Sequence, residues 1–143
     1  MVQKCTDQET GKAFLEKDKD WIRLIVSDVH LGSAHSKEQN FLSLLKNLEF
    51  DELILAGDIV EFLRVPVFTS DTVEIFNLIN TKPKKCVYVV GNHDDAFIKF
   101  VGSRIANIEF VKQYNFIYGD RRFRVEHGDQ YDNGIIKWRY TIE

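Results

Sequence analysis

Val87-Tyr88-Val89-Val90-Gly91-Asn92-His93-Asp94 is an apolar run that stops at four residues suited to chemistry. The reading that decides the fold is that a strand ends here and a site begins. A continuous apolar run of this kind fits a strand covered on both faces. Gly91 lets the backbone turn sharply and approach a ligand. Asn92 offers a neutral oxygen donor, His93 a proton or a metal bond, and Asp94 a carboxylate able to orient the imidazole. Taken alone, the same residues also describe a turn that contains a histidine.

Three other strand-like runs end in the same way. Ile22-Arg23-Leu24-Ile25-Val26 leads into Ser27-Asp28-Val29-His30, Leu53-Ile54-Leu55-Ala56 into Gly57-Asp58, and Phe123-Arg124-Val125-Glu126 into His127-Gly128-Asp129. Oxygen and imidazole donors therefore sit at the carboxyl ends of several strands, where the loops of an open α/β sheet converge on one crevice. The set Asp28, His30, Asp58, Asn92 and His127 contains no cysteine. Mixed carboxylate and imidazole donors suit divalent manganese, iron or zinc and argue against a structural thiolate site.

Helical periodicity fills the gaps between these strands. Ser36 with Gln39 reads as a capping box ahead of a stripe formed by Phe41, Leu44, Leu45 and Leu48. An apolar loop over 59–67 is broken at Pro66. Asp71 then caps a second helix through Glu74, with Val73, Phe76 and Ile79 on one face and Pro83 at its end. A short helix is expected over 94–101, before Gly102. Residues 114–118 and 122–127 flank Gly119-Asp120 as a hairpin, with Phe123, Val125 and His127 on its buried face. Residues 1–20 are polar and read as a frayed helix or tail ahead of one domain over 21–143. The expected fold is α/β, a βαβαβ unit followed by a β-hairpin.

A chain of 143 residues that is 44% hydrophobic and 13% aromatic has enough apolar material for one globular core. A formal charge of −3 and a pI near 5.8 supply no basic field for a nucleic-acid backbone. Cys5 and Cys86 read as free thiols of a reducing compartment. No apolar run approaches the roughly 20 residues that span a bilayer, and residues 1–19 lack a signal-peptide core. The localisation expected on these grounds is cytoplasmic.

In this order and spacing, Asp28-x-His30, Gly57-Asp58, Gly91-Asn92-His93-Asp94 and His127 resemble the signature of the calcineurin-like metallophosphoesterases. Ser27 to Gly32, Gly57 to Glu61 and His127 to Asp132 resemble the branch that contains UDP-2,3-diacylglucosamine diphosphatase. That diphosphatase typically carries arginine where His93 stands. The family's closing Gly-His-x-His block is absent from the sequence, which ends at Glu143.

The resemblance implies an α-β-β-α sandwich, of which this chain holds the N-terminal part. It also implies two divalent metal ions, manganese first, with iron or zinc as alternatives. Asp28 and His30 would hold one ion, Asp58 would bridge, and Asn92 with His127 would hold the other. His93 would protonate the leaving oxygen, and Asp94 would keep its imidazole charged and aimed, while Glu61 and Asp129 would support the ligands. The implied substrate is a small phosphorylated molecule, at branch level a UDP-linked acyl sugar of lipid A synthesis, and peripheral membrane contact stays open beside the cytoplasmic expectation. Without the closing block each ion is one imidazole short. Weak metal retention and self-association through the apolar Ile135-Ile136-Lys137-Trp138-Arg139-Tyr140 end are the corresponding expectations. Two further readings stay open, a non-catalytic form of the same fold and a nucleic-acid phosphodiesterase, the latter disfavoured by the acidic balance. Asp28 and Asp58 also admit roles as turn caps, and His127 a role as a satisfied core histidine. His35 reads as a surface residue and Arg121-Arg122 as a solvated hairpin tip.

Overall fold

Alternate residues of the apolar runs face opposite sides of a sheet, and this chain covers both sides. The computed structural model describes residues 2–6 and 21–128, the first stretch as a backbone strand. Strand β1 is Val2–Thr6 and β2 is Ile22–Val26, followed by helix α1 (Glu38–Asn47), β3 (Glu52–Ala56), helix α2 (Ser70–Thr81) and β4 (Lys85–Val89). A 3₁₀ segment, Asp95–Phe100, precedes β5 (Arg104–Ile105), β6 (Ile108–Val111), β7 (Gln113–Tyr118) and β8 (Arg121–Glu126). The main sheet has the order β1-β2-β3-β4-β6-β5, parallel from β2 through β6 and closed by antiparallel strands at both edges. Strands β7 and β8 form a separate antiparallel sheet.

On one face of the main sheet, Leu24, Leu53, Leu55, Cys86, Tyr88 and Phe110 pack against Phe41, Leu42 and Leu45 of α1 and Ile75 and Ile79 of α2. On the other, Ile54, Val87 and Val89 pack against Phe116 of the hairpin, with Tyr114, Tyr118 and Val125 alongside. The expected βαβαβ unit and hairpin are therefore present as helix, sheet and hairpin layers. Buried on both sides, β3 and β4 cannot alternate polar with apolar residues. Cys86 carries a free, buried thiol, pushed up to about 12 by desolvation and by the nearby Glu52 charge.

Several local expectations change. Val2–Thr6, read as part of a polar helix or tail, pairs in register with β2 as an edge strand. The four-residue strand β6 was not expected, because Ile108-Glu109-Phe110-Val111 is too short to declare a period. Helix α1 starts after Lys37 with no side-chain cap, and Ser36 Oγ is buried without a hydrogen-bond partner among the described residues. Thr69, rather than Asp71, caps α2, in a reciprocal box with Thr72. Glu38 of α1 accepts hydrogen bonds from both threonine hydroxyls, which turns Thr72 inward. The buried face of α2 is consequently Thr72, Ile75 and Ile79, and Val73 faces solvent.

Candidate metal centre

The loops leaving β2 and β3 run side by side. The Asp28 amide donates to Gly57 O at 3.3 Å, His30 N to Asp58 O at 3.0 Å and Leu31 N to Ile59 O at 2.7 Å. To hold this pairing while aiming side chains into one crevice, Asp28, His30 and Asp58 adopt positive φ of 59°, 54° and 53°. Among the described residues Ala106 alone shares this feature without being glycine. Left-handed backbone at non-glycine residues costs of order 1–3 kcal/mol each and persists where the surroundings over-determine it. Three such residues at adjoining strand ends mark a place where position matters more than comfort.

Ligand atoms of Asp28, His30 and Asp58 lie within 4.8 Å of one another, and those of His30, Glu61 and His93 form a second such cluster. Asp58 Oδ1 accepts the His93 amide at 2.9 Å, and Oδ2 is 3.0 Å from His127 Nε2. The same His127 nitrogen is 3.9 Å from Asp28 Oδ1. Burial opposes ionisation of Asp58, but hydrogen bonds from His127 and the His93 amide outweigh it and hold the carboxyl below its ordinary range. Gly91 makes this crowding feasible, since a Cβ there would come within 2.6 Å of Asp58 Oδ1. A side chain at Gly57 would collide with the His127 ring. His127 is thus drawn onto the Asp58 and Asp28 carboxylates.

Glu61 stands between two histidines. Its Oε2 lies 2.7 Å from His93 Nδ1 and 3.1 Å from His30 Nδ1, and its Oε1 accepts the Leu63 amide at 2.9 Å. The two imidazoles meet edge to face at 4.8 Å. Although burial works against it, contact with His93, the Leu63 amide and His30 keeps the Glu61 carboxyl below its ordinary value. Asp94, which the sequence assigns to orienting His93, is occupied elsewhere. It is fully buried and accepts from Gly91 N at 2.6 Å, Ile59 N at 2.9 Å and Tyr88 Oη at 2.5 Å. Burial and this carboxylate push the Tyr88 phenol well above its usual range. The described partner of the His93 ring is therefore Glu61, and Asp94 ties the β3 and β4 loops together. The available signal was spacing: Glu61 lies three residues past Asp58, within reach of the same crevice.

The residues fit divalent metal. Hard oxygen and imidazole donors converge, and the Asn92 amide oxygen is buried without a hydrogen-bond partner among the described residues. A buried polar atom left unpaired costs about 1–3 kcal/mol, a cost that a cation relieves. Imidazole Nδ1 held by a carboxylate leaves Nε2 for a ligand, the usual support for a metal-bound histidine. The two clusters share His30 and together suggest a dinuclear site. Asp129 and the Ile135 to Tyr140 stretch lie outside the described residues. His35 is exposed, as expected. No described helix is long and apolar enough to cross a membrane.

The calcineurin-like phosphoesterase family model matches residues 23–141. Among solved structures, a protein of unknown function from Aquifex aeolicus is 20% identical with a TM-score of 0.52, covering 73% of this chain and 59% of that one. The nuclease MPE of Pseudomonas putida is 26% identical with a TM-score of 0.43, covering 62% and 46% respectively. The chain thus spans less than two thirds of either protein. The Aquifex structure bears on the fold alone. No curated protein matches the chain at a significant level.

Proposed function

The chain belongs to the calcineurin-like phosphoesterase family, and from that premise we propose that it is a dinuclear-metal phosphoester hydrolase. The observation that carries this reading is the left-handed backbone of Asp28, His30 and Asp58, which brings their ligand atoms within 4.8 Å. Asp28 and His30 would hold one ion, Asp58 both, and Asn92 with His127 the second. Such a pair of ions, when bound, polarises a phosphoryl group and activates water at neutral pH.

The protein's own groups supply the rest. Glu61 accepts the Nδ1 proton of His93, so that in the doubly protonated ring the Nε2 proton is the one given to a leaving oxygen, and the ring returns to neutral. Its second contact, to His30, locks a metal ligand and the proton donor to one carboxylate. The Asp94 hub keeps the loops carrying Asp58 and Asn92 at fixed separation without touching substrate. We propose manganese as the working ion on the family resemblance, with iron and zinc as alternatives that the carboxylate and imidazole donors suit equally. At branch level the substrate we propose is a diphosphate joined to an acyl sugar, carried by the likeness of Ser27 to Gly32, Gly57 to Glu61 and His127 to Asp132.

The test is metal content together with hydrolysis of aryl phosphomonoesters, aryl phosphodiesters and a UDP-acyl sugar in the presence of manganese. Two ions per chain with hydrolysis of at least one ester class are expected. A chain that takes up no metal would leave a non-catalytic protein of this fold. Preference for single-stranded nucleic acid over all small esters would favour the phosphodiesterase reading instead.

A further inference from the structure

We propose that the loop over residues 63–68 is a docking finger for an anionic lipid surface. It leaves the candidate site directly from Glu61 and exposes Leu63 by 62%, Val65 by 89%, Val67 by 72% and Phe68 by 50%. Contiguous exposed apolar residues of this kind are uncommon on soluble proteins and mark contact surfaces. The loop is held, so its exposure is imposed rather than a result of slack. Phe62 N donates to His93 O at 2.7 Å, Leu63 N to Glu61 Oε1 at 2.9 Å and Val67 N to Gly32 O at 3.0 Å. Pro66 sits so close over Gly32 that a Cβ there would lie 2.5 Å from the proline Cβ.

A second exposed trio stands beside it. Ile98, Lys99 and Phe100 are all open to solvent, and the rings of Phe62 and Phe97 meet at 5.0 Å, with Phe97 and Phe100 at 5.7 Å. The two segments therefore join into one surface that flanks His93, since Phe62 bonds its carbonyl and Phe97 N donates to Asp94 O. Charge argues for the occupant. From Phe62 to Phe68 the one charged side chain is Arg64, and Lys99 is the one between Phe97 and Phe100. A protein partner of ordinary composition needs no such pairing. Apolar side chains set among isolated cations match a bilayer interface with anionic headgroups, where the apolar groups enter the acyl boundary and the cations stay at headgroup level. Docking there would present the crevice to a phosphoester held in the lipid surface.

The experiment is co-sedimentation of the full 143-residue chain with phosphatidylcholine vesicles, with and without phosphatidylglycerol. The wild-type chain is expected to bind both and to prefer the anionic vesicles. Val65→Asp with Phe68→Asp should lower partitioning by about tenfold or more. Arg64→Ala should remove about fivefold on anionic vesicles and little on neutral ones. Both variants lie on exposed positions, so unchanged near-UV circular dichroism and metal content serve as the folding check. Wild-type chain that stays in the supernatant with anionic vesicles overturns the proposal. So does aspartate-variant binding equal to wild type, or a dimer in sedimentation velocity that the aspartates dissolve, which would assign the loop to a second copy.

Discussion

The two ends of the parallel sheet use the same residue types to opposite effect. At the amino end, Glu52 is buried and saturated: Oε2 accepts from Arg23 Nε at 2.6 Å and Trp21 Nε1 at 3.0 Å, and Oε1 accepts from Tyr114 Oη at 2.6 Å. The Arg23 guanidinium lies over the Phe116 ring at 4.8 Å, so this cluster clamps the hairpin to the sheet. Asp51 accepts the Ile22 amide and the Lys84 ammonium, each at 2.9 Å. At the carboxyl end, Asp28, His30 and Asp58 hold strained backbone, two histidines share one Glu61 oxygen, and the Asn92 oxygen is left without a described partner. Buried charge alone therefore does not identify a site. What separates the ends is whether the polar groups close on one another or converge on something further.

The comparison breaks most readily at Asp58. Asp58→Ala is expected to lower metal content and turnover together, by about 10³-fold in turnover, because on the proposed assignment it removes a donor shared by both ions. His93→Ala should keep the ions and lose about 10²–10⁴-fold in turnover, the range for a general acid. Metal analysis beside steady-state kinetics separates them, and equal metal content in the two variants would refute the assignment of roles.

At the other end, Glu52→Ala is expected to destabilise the fold by about 3–5 kcal/mol, the range for breaking a buried ion pair. Denaturant unfolding reads this effect, and metal content per folded chain should not change. A variant that unfolds normally but loses metal would mean that the two ends are not independent.

Strain supplies a smaller and more diagnostic test. Asp28→Gly places the residue most tolerant of positive φ at 59°, and should raise metal-free stability by about 1 kcal/mol. Metal affinity should fall in the same protein. Thermal unfolding with and without chelator shows both, and a loss of stability in chelator would remove strain from the account.

The smallest expected effect is in acid. Burial opposes ionisation of Asp51, but the Ile22 amide and Lys84 lower its folded pKa below the unfolded value. A depressed carboxylate stabilises the fold above its unfolded pKa of about 4 and loses that contribution as pH falls through the folded value. Asp58 and Glu61 act in the same direction. Metal-free protein should hold its unfolding midpoint from neutrality to about pH 5 and then decline. Asp51→Asn should show a shallower decline, measured as denaturant midpoint against pH, and a superimposable acid limb would discount this pair.

Much of this architecture was written locally. The runs ending at Asp28, Asp58, Asn92 and His127 declared strands and donors together, and in β3 and β4 burial on both faces leaves the chemistry to gather at the strand end. The Gly119-Asp120 turn and the Phe41 to Leu45 stripe were legible for the same reason, since turn geometry and helical period involve near neighbours. Tertiary structure alone decided which groups meet. Glu61 takes the His93 ring that sequence adjacency offered to Asp94, because the β3 loop folds 32 residues back onto the β4 loop. Thr72 and Ile75 face inward where the stripe suggested Val73, because Glu38 of the neighbouring helix holds the Thr69 cap. Sequence pattern determines what each segment prefers to bury and where the chain must turn. Rotation of a helix and the partner of a carboxylate are set by distances between segments far apart in the chain, which no local pattern contains.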